Sequence, residues 1–493
     1  MAPATKLLSE LGLTPRTGGD VAVTGISLDS REVKPGHLFA ALPGTRVHGG
    51  EFIQYALRMQ AGAVLTDPDG AEIAVDVLAS SDAALIVVED PRAALAHAAA
   101  LWFGAQPETV VAVTGTNGKT SVASFTRQIW ELLGLPAVNI GTTGVEGSFA
   151  SPGIHTTPDP LTLHRLMADL SEAGITHAAM EASSHGLDQR RMEAVQLVAA
   201  GWTNMSQDHL DYHGTMEAYF DAKLRLFTEL LSEDGVAVVN MDDDHGARVA
   251  EACSAREIEV ITLGQYAEAK LKITGRRLDE TGQDVLFRWQ GHPYQTRLEL
   301  IGAFQAMNVL TAAGLVIAAG EDAEAVFDVL PRLQGVRGRM QLAGRRDHGA
   351  PIFVDYAHTP DALETALKAL RPHVLGRLIV VFGAGGDRDK GKRPLMGAAA
   401  AAHADVVFVT DDNPRSENPS TIRMEILSAC PEATEVGDRA EAILRGVDAL
   451  EPGDALLIAG KGHETGQTVG DVVYPFDDLE QASVAVAALE GRV

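Results

Sequence analysis

The segment Thr114-Gly115-Thr116-Asn117-Gly118-Lys119-Thr120-Ser121 carries the sharpest chemistry in the chain. Its glycines let the backbone turn N–H groups toward an anion, Lys119 can reach the outer phosphates of a nucleotide, and the Thr120 hydroxyl can ligate Mg²⁺. Residues 109–113 read as a strand. Residues 119–133 read as a helix, because Val122, Phe125, Ile129 and Leu132 recur at helical spacing before Gly134. Strand, glycine-rich turn, Lys-Thr and amphipathic helix in that order predict a phosphate loop rather than a plain glycine turn. Val113 stands where the common form of this loop has its first glycine.

Other residues join that loop as candidates. Glu181 ends an apolar run in Met180-Glu181-Ala182-Ser183-Ser184-His185-Gly186, where a carboxylate suits Mg²⁺ held among phosphates. Without the loop it would read as a satisfied polar residue at a strand end. Ser206-Gln207-Asp208-His209-Leu210-Asp211-Tyr212-His213-Gly214 is dense in polar groups, but its spacing fits no closed zinc pattern. Lys223, among Tyr219, Phe220, Leu224 and Phe227, reads locally as a solvated helix lysine. In the last third, four motifs each follow an apolar run: 355–360, 385–393, Asp411-Asp412-Asn413-Pro414-Arg415 and Gly460-Lys461-Gly462-His463-Glu464. One could be a solvated turn, whereas four at one sheet edge predict a site. Arg388 and Arg415 suit carboxylates, and Asp412 and Glu464 suit ammonium groups, so a zwitterion such as an amino acid is the expected ligand.

Strands must end where these motifs begin. Apolar or β-branched runs at 110–113, 178–180, 197–200 and 236–239, and again at 352–354, 378–382, 406–409 and 455–458, alternate with helical stretches. That alternation predicts an α/β fold of parallel sheets covered on both faces, with ligands beyond the carboxyl ends of the strands. A chain of 493 residues exceeds one hydrophobic core. The stretch Leu333-Gln334-Gly335-Val336-Arg337-Gly338-Arg339 divides two αβ series, and a second boundary is expected near Glu89-Asp90-Pro91. Three domains follow: 1–90, a central ATP-binding domain 91–336 and an amino-acid-binding domain 337–493.

Composition bounds the partners. Apolar residues at 46 % and charged residues at 22 % are those of a globular protein. A net charge of −27 without a basic run excludes a nucleic-acid partner, which needs a basic face. A nucleotide site must then be made locally by backbone N–H groups, Mg²⁺ and a few cations, since salt screens distant acidic charge within ~8–10 Å. The opening residues 1–7 show no signal peptide, and no apolar run approaches the ~20 residues of a membrane span. The alanine run at 398–402 reads as a buried helix. Cys253 and Cys430, far apart, suit a reducing, cytoplasmic compartment and argue against a disulfide framework.

Taken together, these motifs resemble the Mur ligases, and among them the type that adds the third residue of the peptidoglycan stem peptide. The resemblance covers essentially the whole chain. It is carried by Leu28-Asp29-Ser30-Arg31, Gly36-His37-Leu38-Phe39, residues 114–120, His155-Thr156-Thr157-Pro158, residues 181–189 and 208–214, Asn308 and the four C-terminal motifs. It implies a central P-loop ATPase-like parallel sheet and a C-terminal Rossmann-like domain, with residues 1–90 binding a UDP-muramoyl group. It also implies an ATP-dependent amide ligase that activates the D-glutamate side-chain carboxylate of UDP-N-acetylmuramoyl-L-alanyl-D-glutamate as an acyl phosphate, then joins it to meso-diaminopimelate.

By the same resemblance, Gly115, Thr116, Asn117, Gly118, Lys119, Thr120 and Ser121 hold ATP phosphates, Asn308 meets adenine, and Arg339 meets the nucleotide. Thr120 and Glu181 hold one Mg²⁺, and His209 with Lys223, carbamylated to N6-carboxylysine, a second. Lys119, Glu181, His209 and Lys223 form the catalytic set. Leu28 and Ser30 touch the uridine nucleotide. Thr156, Thr157, Ser183, Gln189 and Arg191 hold the muramoyl dipeptide. Arg388, Asp412, Asn413, Pro414, Arg415, Gly460 and Glu464 bind diaminopimelate. The partners implied are these small molecules alone, on a monomer. The alternatives are the same chemistry on L-lysine or L-ornithine, which offer Arg415 no distal carboxylate, a folylpolyglutamate synthetase, which lacks the Asp29-Ser30-Arg31 domain, and a non-catalytic nucleotide switch.

Overall fold

Runs such as Val110-Val111-Ala112-Val113 have no polar alternation, so they are stable only as strands covered on both faces. The computed structural model, which describes residues 5–44, 47–151, 153 and 155–491, meets that requirement in three sheets. The stretch 1–4, in which the absence of a signal peptide was partly read, lies outside the described residues.

A short ribbon of β1 (Lys6–Leu7) and β2 (Ala22–Val23) precedes a four-stranded parallel sheet of β3 (Ile26–Ser27), β4 (Leu38–Ala41), β5 (Ala63–Thr66) and β6 (Ala84–Val87). The ten-stranded central sheet contains β7 (Thr109–Thr114), β8 (Ala137–Gly141), β9 (Gly144–Gly147), β10 (His177–Glu181), β11 (Leu197–Trp202), β12 (Leu231–Asn240) and β13 (Glu259–Gly264). It is completed by β14 (Leu271–Asp279), β15 (Gly282–Trp289) and β16 (His292–Leu298), in the order β16-β15-β14-β13-β12-β11-β7-β10-β8-β9. The third sheet holds β17 (Gln341–Arg345), β18 (Pro351–Asp355), β19 (Leu378–Phe382), β20 (Val406–Val409), β21 (Thr434–Glu435) and β22 (Ala455–Ala459), in the order β17-β18-β22-β19-β20-β21. A separate hairpin, β23 (Gly466–Val469) and β24 (Val472–Pro475), follows it.

The α/β, three-sheet architecture is the one expected, with one difference. The central sheet is parallel only in its middle, from β8 across to β14, because the pairs β14–β15 and β15–β16 at one end and β8–β9 at the other are antiparallel. The β15–β16 turn explains this locally. Gln290 and Gly291 both have positive φ (48° and 88°), the type I′ geometry that joins antiparallel strands in two residues.

Period-two alternation divides the central core. Val111 and Val113 face a cluster with Phe125, Trp130, Leu310 and Leu315 from the helices Lys119–Leu132 and Phe304–Ala318. Val110 and Ala112 face Leu163, Met167, Phe220 and Phe227 on the other side. At about 1.5–3 kcal/mol per buried aliphatic or phenyl side chain, these two layers hold the strand ends in fixed register. The alanine-rich helix Lys392–His403 is amphipathic rather than buried: Ala399 and Ala400 are buried, but Ala401 and Ala402 face solvent. Among the described residues, no helix is long and apolar enough to cross a membrane.

Candidate active site

The parallel register brings the chemistry to one edge. Glu181 pairs with Val113, so both strands end at the same level and the loop after β7 opens beside the Glu181 carboxylate. Gly115 (φ 144°) and Gly118 (φ 92°) lie where only glycine sits without strain. A Cβ on Gly118 would stand 2.6 Å from Asn308 Oδ1, and one on Gly115 would stand 2.0 Å from Thr203 Oγ1. Asn308 therefore packs directly on the loop, its Nδ2 donating to Gln305 Oε1 at 3.1 Å. The loop is held from below by Thr203 Oγ1, which donates to Asn117 O at 2.6 Å, and by Asn117 N, which donates to Asn204 Oδ1 at 3.0 Å.

Thr120 and Glu181 are buried and in contact: Thr120 Oγ1 donates to Glu181 Oε2 at 3.0 Å, and Thr142 N donates to Glu181 Oε1 at 2.8 Å. Arg339 Nη2, from the far side of the boundary stretch, donates to Thr120 Oγ1 at 3.1 Å, and its guanidinium lies 4.7 Å from the Tyr356 ring centroid.

Lys223 is not the solvated lysine its neighbours in sequence suggest. It is 1 % exposed, and its Nζ donates to Gly115 O at 2.8 Å. Lys119 Nζ donates to the same carbonyl at 2.9 Å and to Thr116 O at 2.9 Å. Burial, followed by the Lys119 charge, pulls the Lys223 amine well below the ordinary lysine range. Burial also lowers the Lys119 amine, but the nearby Glu181 and Asp208 carboxylates oppose that shift. His209 sits at the start of the short helix Leu210–His213 with φ 52°, its ring 6.1 Å from Tyr219 and 4.8 Å from His185. Burial lowers its pKa, and the Lys119 and Lys223 charges add to that against Asp208, so it favours the neutral, ligand-competent imidazole.

A cavity of about 520 Å³ unites these groups. Its lining includes Thr116–Ser121 of the loop, Thr156, Glu181, Ser183, His209, Lys223, Asn308 and Arg339. It also includes Asp355, Tyr356 and His358 of the motif 355–360, Ser206 and Asp208 of the polar segment 206–214, and Asp361, Tyr219 and Asn204, which no candidate motif had contained. The signal for Asn204 and Asp361 was only that they follow strands β11 and β18. Thr157, Gln189 and Arg191 lie behind this cavity as a bonded group: Arg191 Nη1 donates to Thr157 O at 2.7 Å and Nη2 to Gln189 Oε1 at 2.7 Å. Thr157 Oγ1 contacts Ser183 Oγ at 3.0 Å. Leu28 and Ser30 are in the turn after β3, shaped by Arg31, whose Nη2 donates to Asp29 Oδ2 at 2.6 Å and holds that carboxyl down at about 2. They do not line the cavity.

The four C-terminal motifs do share one edge, because β18, β22, β19 and β20 are adjacent and parallel. Arg415 has φ 51° and its Nη1 donates to Gly386 O at 2.8 Å. A Cβ on Gly385 would stand 2.8 Å from Arg415 Nη1 and 3.9 Å from Arg388 Cγ, so the two arginines flank one spot. Asn413 Nδ2 donates to Glu464 Oε2 at 2.9 Å, and Gly460 (φ 118°) lies against Asp412. Pro414 lies between these, its carbonyl against Gly386. Sequence reasoning missed two buried cations here, Lys461 and Arg439, both with fully covered side chains.

Three family descriptions match in chain order: Mur ligase family, catalytic domain, at residues 22–103; Mur ligase middle domain at 113–316; and Mur ligase, glutamate ligase domain, at 338–462. A UDP-N-acetylmuramoyl-L-alanyl-D-glutamate--2,6-diaminopimelate ligase of Bradyrhizobium diazoefficiens is 51 % identical, covering 94 % of this chain and 95 % of its own. One of that name from Brucella melitensis is 49 % identical over 97 % of this chain and 96 % of its own. A solved structure of a ligase so named superposes with a TM-score of 0.72 at 34 % identity, covering 99 % of this chain and 100 % of that one. With that identity along nearly its full length, and with the phosphate loop and C-terminal edge meeting in one cavity, the chain belongs to the Mur ligase family.

Proposed function

We infer that the protein is the ATP-dependent ligase that adds meso-diaminopimelate to UDP-N-acetylmuramoyl-L-alanyl-D-glutamate in peptidoglycan synthesis. The observation that carries this reading is the cavity joining the phosphate loop to residues 355–361 of the C-terminal sheet, on whose same edge, outside that cavity's lining, Arg388 and Arg415 flank one spot. A carboxylate is a poor electrophile. Its oxygen attacks the γ-phosphorus of ATP, ADP leaves, and the acyl phosphate then accepts the incoming amine through a tetrahedral intermediate that expels phosphate. The protein's work is positioning and charge neutralisation.

Lys119, released from Gly115 O and Thr116 O, turns to the transferring phosphoryl group, while the loop N–H groups hold the inner phosphates. Asn308, already against Gly118, is placed for the base, and Arg339 for the nucleotide. Thr156, Thr157, Ser183, Gln189 and Arg191 orient the muramoyl dipeptide, and Leu28 and Ser30 its uridine end. Thr120 and Glu181 fit Mg²⁺. They are a hydroxyl and a carboxylate in contact, and the described residues contain no cluster of three His, Cys, Asp or Glu that would close around the ion. This suits a cation that keeps waters and phosphate oxygens as ligands. When bound, Mg²⁺ supplies neutralisation of the phosphate charge. His209 and Lys223 would hold a second ion once the neutral Lys223 amine adds to CO₂ and loses a proton, becoming an anionic carbamate.

Domain assignments follow the sheets: 1–90 for the UDP-muramoyl group, 91–336 for ATP and 337–493 for the amino acid. We take the monomer as the working unit, and the use of ATP as co-substrate fits a cytoplasmic enzyme. Lysine and ornithine are disfavoured because neither offers Arg415 a distal carboxylate. The test is incubation with ATP, Mg²⁺, the muramoyl dipeptide and a panel of diamino acids, read by product mass. A lysine or ornithine adduct formed as readily as the diaminopimelate adduct would overturn the specificity, and no adduct at all would overturn the activity.

A further inference from the structure

Lys461 is a lysine whose side chain is fully buried, yet it reaches no substrate-facing position in the reading above. Its Nζ donates to Asn413 Oδ1 at 3.0 Å and lies 3.4 Å from Glu464 Oε2 and 3.8 Å from Asp412 Oδ1. All three partners belong to the amino-acid site. Asn413 is thereby locked: its Oδ1 also accepts from Thr468 N at 2.9 Å, while its Nδ2 donates to Glu464 Oε2 at 2.9 Å. Two donors on one oxygen fix which way the amide faces, so Asn413 is committed to the protein at both ends.

The charges close the argument. Arg439 and Asp478, both fully buried, form a fork with Nε to Oδ1 at 2.8 Å and Nη2 to Oδ2 at 2.7 Å, and so cancel each other. Arg439 Nη2 also donates to Ala459 O at 3.0 Å, beneath Gly460. What remains beside Gly460 is Asp412 and Glu464 against Lys461: two negative charges and one positive. Beside Gly460, apart from Arg388 and Arg415 at Gly385, this group thus keeps one net negative charge, the complement of one ammonium group. Without Lys461, Asp412 Oδ1 and Glu464 Oε2 lose the cation that lies 3.8 and 3.4 Å from them, and Glu464, a third exposed, is free to turn toward solvent.

We propose that Lys461 is the positioning residue of the amino-acid site, holding Asn413 and Glu464 in place and setting the pocket's charge to accept a single ammonium. This rests on the assignment of that pocket to the amino-acid substrate. Lys461→Met, which keeps much of the stem and removes the charge, raises KM for diaminopimelate by about tenfold or more, the size of losing one charge-assisted contact. KM for ATP and for the muramoyl dipeptide stays within about twofold, because neither touches these partners. Lys461→Arg, keeping the charge, retains more of the wild-type KM than Lys461→Gln.

Wild-type enzyme is first assayed on the diamino-acid panel, so that failure of the pocket assignment shows there and not in the variants. An unchanged diaminopimelate KM in Lys461→Met overturns the proposal. A parallel rise in all three KM values overturns it too, as does loss of folding in all three variants, since either would make Lys461 a structural residue.

Discussion

Lys119 and Lys223 donate to one carbonyl oxygen, Gly115 O, at 2.9 and 2.8 Å. Two ammonium groups that close, one of them fully buried, disfavour each other, and burial followed by the Lys119 charge draws the Lys223 pKa well below the ordinary lysine range. The sign of the resulting pH dependence follows. The folded protein binds fewer protons at Lys223 than the unfolded chain does, so stability rises with pH up to the ordinary lysine value of 10.5 and is lost as pH falls below it. In CO₂-free buffer, Lys223→Met should remove up to ~1.4 kcal/mol per pH unit of that slope on the alkaline side, measured by urea unfolding at a series of pH values. With ¹³CO₂ supplied, the wild type should show a carbamate carbon resonance that Lys223→Met lacks. For Lys119→Ala, kcat should fall by ~10²–10³ with the circular dichroism spectrum unchanged, as for other donors aimed at developing charge. Normal turnover in a folded Lys119→Ala protein would remove the loop from the mechanism. Arg415 belongs to the same scale. A closed site that leaves its guanidinium unpaired discriminates by ~10⁴ against a substrate lacking the distal carboxylate. Arg415→Ala should raise KM for diaminopimelate and erase its preference over lysine, with the KM for ATP unmoved.

Elements decide whether those residues meet. Glu181 reaches Thr120 because β10 pairs with β7 in a register that places Glu181 opposite Val113, and a one-residue slip would turn it to the other face. The loop between them tolerates no side chain at Gly118, where φ is 92° and a Cβ would stand 2.6 Å from Asn308 Oδ1. Gly118→Ala should therefore raise KM for ATP at least ~10-fold through the strained backbone and the displaced Asn308, while diaminopimelate KM stays level. Equal ATP affinity in the variant would show that the loop relaxes at no cost. The hairpin β23–β24 acts on Arg415 in a comparable way. Arg415 N donates to Thr468 O at 3.1 Å and Gly470 N donates to Arg415 O at 2.7 Å, which holds a non-glycine residue at φ 51°.

At the scale of the whole molecule, the cavity exists only because the central and C-terminal sheets face each other across Arg339 and Tyr356. Arg339 to Thr120 and Ser206 Oγ to Asp361 Oδ2, at 3.1 Å each, cross at the cavity, and His373 crosses elsewhere, its Nε2 accepting from Gly302 N at 3.1 Å and its Nδ1 meeting Asp279 O at 2.5 Å. Nucleotide bound in that cleft adds to stability by mass action, about 2.7 kcal/mol at a hundredfold excess over Kd. Chelating Mg²⁺ should abolish both turnover and most of the nucleotide-dependent rise in Tm, and restoring Mg²⁺ should recover both. Turnover that persists in excess chelator would exclude the assigned role of Thr120 and Glu181.

Local pattern was enough for the strands, the phosphate loop and the four C-terminal motifs. Each is set by period, glycine placement and residue type within some ten positions, and all eight apolar runs became strands of the two larger sheets. The mixed chemistry of Arg388, Arg415, Asp412 and Glu464 was legible for the same reason. Tertiary structure alone decided the fate of the lysines. Nothing near Lys223 distinguishes it from a solvated helix residue until β7 and its loop bring the Gly115 carbonyl to its amine, 108 positions away. Lys461 sat in plain view within a motif, yet its partners Asp412 and Asn413 lie on the loop after another strand. Burial and charge pairing are properties of what the fold brings together, and a side chain's protonation and role follow from those neighbours rather than from its own place in the chain.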